Sequence, residues 1–162
     1  YHYPAYGTTK APKGGTPLDA RQSIAIRANW TPLIEKYGVS AVFENDHHNY
    51  KRTHRIRQHK RDDENGILYL GDGAWAVETR TVPDLATGWW LAKAEGRNHV
   101  FSVTLRNNGT ASIRAVDIDG KVFDKVGWDI LNRSFGSDGL SSWLLLWWPC
   151  PAFVCSKIQP QL

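Results

Sequence analysis

The stretch that decides the fold begins with Val39-Ser40-Ala41-Val42-Phe43 and continues as Glu44-Asn45-Asp46-His47-His48-Asn49-Tyr50-Lys51-Arg52-Thr53. Its first five residues are mostly β-branched, small or aromatic, and this pattern predicts a buried strand. The sequence then changes to polar residues of the types that bind metals. A strand fixes the backbone, and the loop after it presents carboxylate and imidazole groups. The sequence therefore predicts a functional site at the carboxyl end of this strand.

The arrangement within this loop depends on its backbone. Side chains alternate between the two faces of an extended chain. If the loop is extended, Asp46 and His48 share one side and His47 points to the other. One face then offers a carboxylate together with an imidazole, a pair that suits several transition metals.

Composition limits the class of protein. The chain has 162 residues, 41% of them hydrophobic, which is enough for one domain with its own core. A net charge of +4 favours an anionic partner such as phosphate without specifying nucleic acid. The two cysteines, Cys150 and Cys155, are too few to indicate a disulfide framework. Because the chain contains no methionine and opens on Tyr1-His2-Tyr3-Pro4, we expect it to be a piece of a longer protein.

Residues 46–53 carry a family resemblance. Asp46-His47-His48-Asn49-Tyr50-Lys51-Arg52-Thr53 resembles the Gly-His-x-His-x-Tyr-Glu-Arg segment of the purple acid phosphatase branch of the calcineurin-like metallophosphoesterases. In this register His48 falls on the second motif histidine, and Asp46 stands where the first histidine is found. The resemblance implies that Asp46 replaces a histidine as a metal ligand. Two alternatives are that His47 swings in or that one metal site is weakened.

A second segment at the start of the chain also resembles this family. The aromatic run from Tyr1 to Gly7 is broken by Pro4 and predicts a strand end that turns into a loop. His2-Tyr3-Pro4-Ala5-Tyr6 resembles a His-x-Pro-x-Tyr segment whose histidine binds metal. Taken alone, it also fits an ordinary aromatic loop. The second motif, which follows in the family's order, favours the metal-binding interpretation.

The resemblance implies a fold and an activity. The expected fold class is α/β, with residues 1–128 as the C-terminal half of a metallophosphoesterase αββα sandwich and residues 129–162 as a poorly defined apolar tail. The implied activity is hydrolysis of phosphate monoesters by a hydroxide held between two metal ions, which are iron, zinc or manganese. His2, Asp46 and His48 are the expected metal ligands, and Arg52 and His47 the expected substrate-binding residues. The family's other ligands lie upstream of its His-x-Pro-x-Tyr segment, so we expect this polypeptide alone to show little or no phosphatase activity.

The segment between the two motifs predicts a loop and helices. Residues 8–17 are rich in Gly, Pro, Thr and Lys and predict a surface loop over the site. Residues 18–37 have roughly helical spacing, and Gly38 stands where a C-cap glycine belongs. Because proline interrupts a helix interior, Pro32 predicts two short helices or a kinked one. A helix followed by the strand from Val39 is an α/β unit.

Residues 54–61 concentrate arginine and lysine. They are either an electropositive rim that steers a phosphorylated substrate or a solvated loop. No aromatic residue interleaves with them, so nucleic acid is a less favoured partner.

Residues 62–66 predict a turn, and Ile67 to Leu70 predicts a buried strand. Gly71-Asp72-Gly73 resembles the family's glycine-rich segment, which lets the backbone pass close to the metal pocket; we interpret Asp72 as a carboxylate that shapes this loop.

The second half of the chain has an all-β pattern. Strands are predicted at 89–92, 99–105, 111–117 and 121–125, and Asn108-Gly109 and Asp119-Gly120 predict hairpin turns. We expect this meander to add antiparallel strands to one edge of the core sheet.

The apolar run within 140–155 is too short and too interrupted by proline to span a bilayer. It fits an interfacial anchor, a cap on the sheet or an unfolded segment.

Three triplets match the glycosylation acceptor pattern and favour an extracellular or secretory location, although such triplets also arise by chance. They begin at Asn29, Asn108 and Asn132. The sequence does not specify an oligomeric state.

Three classes of function fit the sequence, in decreasing order of preference. The first is part of a working phosphatase. The second is a degenerate relative that binds phosphorylated or protein ligands without turnover, a possibility raised by Asp46. The third is a nuclease-like member that uses the basic segment from Arg52 to Arg61 on nucleic acid.

Overall fold

The chain forms a mixed α/β fold, as the sequence predicts. The computed structural model describes residues 1–71, 73–82 and 88–129. A 3-10 helix at Pro17–Asp19 is followed by α1 (Arg21–Asn29), α2 (Thr31–Lys36), β1 (Ala41–Glu44), β2 (Tyr50–Thr53), β3 (Ile56–Arg57), β4 (Lys60–Arg61), β5 (Leu68–Gly71), β6 (Leu91–Glu95), β7 (His99–Leu105), β8 (Thr110–Asp117) and β9 (Val122–Asp129).

The central sheet has four strands in the order β1-β5-β2-β6. β1 and β5 are parallel, whereas β2 is antiparallel to both β5 and β6. The strand predicted from Val39 is present but begins at Ala41. It starts late because the Val39 N–H still donates to the Ile34 carbonyl at the end of α2, at 3.1 Å.

Two short helices replace one long one, as Pro32 predicts. α1 ends at Asn29, and Pro32 lies in the first turn of α2, where a missing N–H costs little. Gly38 follows α2 with a φ of 63°, a left-handed conformation that favours glycine. Ile26 and Ile34 pack against the core on one face of the central sheet.

The two faces of β5 show how the layers are built. Side chains alternate along a strand, so Tyr69 joins the helix-side core, whereas Leu68 and Leu70 point to the opposite face. On that opposite face they pack against a second sheet, with the order β7-β8-β9, through Ile113. The described residues are therefore layered as helices, central sheet and second sheet.

This arrangement corrects one part of the sequence prediction. The hairpin turns at 108–109 and 119–120 are present, and the meander is antiparallel throughout. However, among the strands of the described residues only β6 adds to the edge of the central sheet, beside β2. Strands β7–β9 form a separate sheet, because the buried side of that sheet covers the apolar face of the central one.

The basic segment 54–61, expected to be an electropositive rim or a solvated loop, contains a hairpin. β3 pairs with β4, and the two turn residues Gln58 and His59 have φ values of 49° and 58°. Two consecutive left-handed residues define the type I′ turn that joins two twisted strands.

Some predictions concern residues outside the described part of the chain. Asp72 and the apolar tail after Asp129 are among them. Across residues 1–71, 73–82 and 88–129, no helix has the length and apolar character needed to cross a membrane.

Candidate functional site

A buried ion pair attaches the first residues of the chain to the central sheet. Glu44 ends β1 and Lys51 lies in β2, and the two side chains are 0% and 2% exposed. The Lys51 ammonium donates to the Glu44 carboxylate and to the Tyr6 carbonyl. The other carboxylate oxygen of Glu44 accepts from the Tyr1 hydroxyl and from the Ala5 N–H, both at 2.7 Å. Burial lowers the pKa of Lys51, and the Glu44 charge opposes this change.

This attachment brings His2 to the end of β1. The Tyr1 amino group donates to the Phe43 carbonyl at 3.1 Å, and the Asn45 N–H donates to the His2 carbonyl at 2.9 Å. The His2 Nε2 atom then lies 3.4 Å from Asp46 Oδ1. The structure therefore brings together two of the three predicted metal ligands, from opposite ends of a 45-residue stretch.

Asp46 is surrounded by cations. The Lys10 ammonium donates to Asp46 Oδ1 at 2.7 Å, and the Arg80 guanidinium donates to the Asp46 backbone carbonyl at 2.8 Å. Burial by itself raises the pKa of the Asp46 carboxyl, but the hydrogen bond and charge of Lys10 outweigh burial and lower it. The second oxygen, Oδ2, is buried and accepts no hydrogen bond from the described residues.

The loop that carries Asp46 is not extended, so the alternation expected of Asp46, His47 and His48 does not hold. Asp46 and His48 have φ values of 75° and 51°, in the left-handed region. Asp and His visit this region more readily than most residues. Gly73 packs against the loop, because a Cβ there would lie 3.0 Å from the Asp46 nitrogen. The sequence prediction that glycines bring this segment close to the site is consistent with that contact.

Because of these left-handed residues, the imidazole of the loop that approaches Asp46 is that of His47 rather than that of His48. His47 Nε2 lies 4.0 Å from Asp46 Oδ2. The backbone carbonyl of His48 accepts from the Arg80 N–H at 3.0 Å. Within the described part of the chain, no hydrogen bond or ion pair joins the His48 imidazole to His2 or Asp46. The assignment of His48 as a metal ligand remains a prediction.

His47 holds the loop at residues 8–10 in place. Its Nδ1 atom accepts from the Thr8 and Thr9 N–H groups at 3.0 and 3.1 Å. Burial lowers the pKa of His47 to about 3, so the ring is neutral at pH 7. Because Nδ1 accepts two hydrogen bonds, the proton resides on Nε2, which faces Asp46. Gly7 lies against this ring, since a Cβ there would be 2.5 Å from the His47 Cε1 atom.

Arg52 is engaged away from Asp46. Its Nε atom donates to Asp124 Oδ2 in β9 at 2.7 Å, and the Tyr50 hydroxyl donates to the same carboxylate. Both side chains leave β2 on the face that packs against the second sheet, whereas Lys51 between them leaves on the other. The role of Arg52 in substrate binding, like that of His47, remains a prediction.

Sequence reasoning missed Lys10 and Arg80. Lys10 lies in a loop without periodicity, and its φ of 60° is unusual for lysine. Arg80 lies in an irregular segment, and its neighbours give no motif. Both reach Asp46 through contacts between residues more than thirty positions apart, which no local pattern announces.

The described residues do not by themselves fit a pair of metal ions. Among them, no group of three or more His, Cys, Asp and Glu side chains is arranged to hold a metal. His2 and Asp46 are two donors, whereas one zinc ion takes three or four protein ligands. Lys10 already neutralises the oxygen of Asp46 that faces His2. No chemical step through a metal pair follows from these residues alone.

Comparison with known proteins defines the fold. No family model matches the chain, and a search of curated proteins found no match. The layers and the C-terminal antiparallel meander match part of a phosphoesterase fold.

The solved structure that carries this likeness is purple acid phosphatase PPD1, isolated from yellow lupin (Lupinus luteus) seeds. The TM-score is 0.57, the sequence identity is 18%, and the match covers 78% of this chain. The chain spans only 24% of the lupin structure, so the likeness concerns the fold of one part of it.

Proposed function

We propose that this chain carries part of a purple acid phosphatase-like phosphoesterase site, with His2 and Asp46 as its contribution to metal binding. The observation that supports this most is the 3.4 Å approach of His2 Nε2 to Asp46 Oδ1. Both residues stand at positions that resemble the family's metal ligands, and the fold resembles part of the lupin phosphatase. Iron, zinc and manganese all accept an imidazole with a carboxylate, so the ligand types do not choose among them.

We further propose that the polypeptide alone does not hydrolyse phosphate esters. Two donor side chains bind a divalent ion weakly, and Lys10 competes with the ion for Asp46. A working site requires further ligands from outside the described residues.

Metal titration tests the proposal. Purified chain is titrated with Zn²⁺ or Mn²⁺ by calorimetry, and the bound metal is counted by elemental analysis. We expect weak binding of at most one ion, lost in His2→Ala and in Asp46→Ala. His54→Ala is the matched control and should bind as the unchanged chain does. Binding that is indifferent to both His2 and Asp46 would contradict the proposed ligand set.

An activity assay tests the second part of the proposal. The chain is incubated with p-nitrophenyl phosphate and added metal, and we expect no turnover above buffer. Turnover that is abolished by His48→Ala would show that the described contacts misidentify the ligands.

A second candidate function is binding of a phosphorylated ligand without metal and without turnover. The contacts that favour it are those of Lys10 and Arg80 with Asp46, which place two cations beside one carboxylate where the first candidate needs a metal. Inorganic phosphate binding in EDTA that is unchanged by His2→Ala but lost in Lys10→Ala would favour this candidate.

For nucleic acid, the third possibility raised by the sequence, the described contacts give little support. Residues 54–61 form a hairpin in which the Arg61 guanidinium pairs with the Asp63 carboxylate at 2.8 Å. This pairing reduces the positive charge that a phosphate backbone would meet. A nucleic-acid-binding role predicts a steep salt dependence, which a titration with single-stranded DNA at several salt concentrations would reveal.

We also propose an extracellular or secretory location. Asn108 lies in the exposed turn between β7 and β8, where an attached glycan would meet solvent. Asn29 is less suitable, because its side-chain amide donates to the Ala25 carbonyl within α1 and Thr31 is buried. Secreted expression in a eukaryotic host, followed by glycosidase treatment and mass measurement, tests this proposal.

A further inference from the structure

The second sheet, formed by β7, β8 and β9, has one face turned away from the central sheet. Ile113 in β8 packs against Leu68 and Leu70 of the central sheet. Side chains alternate along a strand, so the residues on either side of Ile113 lie on the opposite face. We call this surface the outer face, and the strand register gives it Ser102, Thr104, Arg106, Ser112, Arg114 and Lys125 among its polar residues.

Three cations lie close together on the outer face. Arg114 and Lys125 are directly opposite each other on β8 and β9, and both side chains are exposed. Residues opposite each other on antiparallel strands have Cβ atoms about 4.5–5.5 Å apart. The guanidinium of Arg106, which is also exposed, lies 3.4 Å from the hydroxyl of Ser112, two residues from Arg114 on the same side of β8. The three positive charges therefore form one patch.

This patch is not neutralised by the residues that the structure describes. Within 1–71, 73–82 and 88–129, no ion pair involves the three cations. Asp124, the neighbour of Lys125, pairs with Arg52 on the side of the central sheet. Asp129 lies at the margin of the outer face, across from Thr110. Like charges directly opposite each other destabilise a sheet, and an anion that meets both cations relieves this repulsion.

Hydroxyl groups accompany the cations. The Arg114 guanidinium lies 3.5 Å from the Ser102 hydroxyl, and Thr104 follows two residues later on the same side of β7. A hydroxyl both donates and accepts hydrogen bonds, so these side chains suit a partner with hydroxyl groups of its own. Clustered basic residues on one surface are typical of sites for polyanions such as heparin.

The outer face suits a membrane or a nucleic acid less well. Among the described strands, the apolar residues that it exposes are Val100 and Val122, at 38% and 43%, which is little surface to enter a membrane. The aromatic rings of Phe101 and Trp128 pack on the side of the central sheet. Bases of a single strand therefore have no aromatic ring of these two residues on which to stack.

We propose that the outer face binds a linear polysaccharide that carries sulfate or carboxylate groups. Arg106, Arg114 and Lys125 contact its anionic groups, and the hydroxyls beside them bind its sugar hydroxyls. This inference goes beyond the proposed function and does not depend on it, because His2 and Asp46 lie outside the second sheet.

Calorimetric titration of the full chain in EDTA with three polysaccharides tests the inference. Heparin carries sulfate and carboxylate groups, polygalacturonate carries carboxylate alone, and dextran is neutral. We expect at least one of the anionic polymers to bind, with an affinity that falls as salt is added, and dextran not to bind. Binding of heparin alone would identify sulfate as the recognised group, and binding of both would identify any anionic group; either result supports the inference.

Two outcomes of these titrations would overturn the inference. One is that neither anionic polymer binds. The other is that single-stranded DNA of similar charge binds at least as tightly as the better polysaccharide, which would assign the outer face to nucleic acid.

A double variant tests whether binding occurs at the outer face. Arg114→Ser with Lys125→Ser should weaken binding of the better polymer by about tenfold or more, because hydrogen bonds to charged groups are among the stronger ones. Lys13→Ser with Arg21→Ser removes the same charge from exposed positions outside the second sheet and should weaken binding less than about twofold. Equal losses in the two double variants would refute the proposal, because net charge alone would then hold the polymer.

Charge reversal gives a second readout that does not rely on the polymer alone. Lys125→Glu places a carboxylate opposite Arg114 and replaces repulsion by attraction. The melting temperature should rise by about 1–4 °C, and binding of the anionic polymer should be lost. A melting temperature that falls, or binding that persists in this variant, would contradict the arrangement of cations on which the inference rests.

Discussion

Replacing Lys51 by methionine is the sharpest test of how the site is assembled. The substitution preserves the length of the side chain but removes the cation from a buried ion pair. Glu44 would then remain 0% exposed, and the Tyr1 hydroxyl and the Ala5 N–H would be its only partners within the part of the chain that the structure describes. Removing one member of a buried pair typically costs about 3–5 kcal/mol, because the remaining charge is not compensated. Since native proteins are stable by only about 5–15 kcal/mol, the expected loss is a large part of the total.

The assay is equilibrium unfolding in urea followed by circular dichroism, with a thermal scan beside it. For a domain of this size, about 2–4 °C of melting temperature corresponds to each kcal/mol, so the melting temperature should fall by roughly 6–20 °C. Arg61→Ala is the matched control. It breaks the Arg61–Asp63 pair, whose side chains are 54% and 57% exposed, and should cost less than about 1 kcal/mol.

A double variant distinguishes the effect of leaving one charge unpaired from the effect of removing both charges of the pair. Lys51→Met combined with Glu44→Gln removes both charges and should recover a large part of the lost stability. If Lys51→Met alone costs less than about 1 kcal/mol, the pair is not desolvated as described, and our account of how His2 is positioned fails.

Three further predictions concern the site. Lys10→Ala should raise the affinity for Zn²⁺ measured by calorimetry, because it frees Asp46 Oδ1. Lys13→Ala, in the same loop, is the control and should leave the affinity unchanged. Equal effects of the two substitutions would refute the competition of Lys10 with the metal ion for Asp46. In the folded chain the pKa of His47 is about 3, below its ordinary value of 6.5. Between these two pH values the unfolded chain therefore binds more protons than the folded chain. The free energy of unfolding should consequently fall as the pH drops below 6.5. The slope should approach about 1.4 kcal/mol per pH unit and should flatten in His47→Asn, as urea titrations at pH 7 and pH 5 would show. Gly7→Ala should displace the His47 ring, because a Cβ at position 7 would lie 2.5 Å from its Cε1 atom. We expect the free energy of unfolding to fall by about 1–3 kcal/mol. A melting temperature equal to that of the unchanged chain would contradict this packing.

Much of the fold could be predicted because its signals are local. The apolar run before Glu44 and the alternation around Tyr69 identify two neighbouring strands of the central sheet, and Pro32 divides the helices. The dipeptides Asn108-Gly109 and Asp119-Gly120 locate two hairpins, because each supplies residues that accept the turn's backbone angles. Alternation assigns side chains to faces, but it does not say which sheet a strand joins. The separate sheet of β7–β9 was therefore missed.

The site was less predictable because its contacts are long-range and its backbone is unusual. The sequence drew attention to Asp46 and His2, and the structure brings them together. The alternation of side chains did not reveal that Asp46 and His48 adopt left-handed angles, because it assumes an extended chain. One signal could have warned of this: the run Asn45-Asp46-His47-His48-Asn49 consists of residue types that tolerate such angles. Lys10 had no comparable signal.

Because the first residues are attached to the central sheet by long-range contacts, we expect the site to be a late product of folding. His47 binds the Thr8 N–H across 39 positions, and the Trp90 indole binds the Gly7 carbonyl across 83 positions. Contacts between such distant residues close long loops, and closing a loop costs entropy before the contact stabilises the fold, so we expect them to form late. Imidazole proton signals from His2 and His47 in nuclear magnetic resonance should consequently reach their native positions no earlier than the slowest step of refolding. Ligand-binding competence would then report complete assembly of the chain rather than partial collapse.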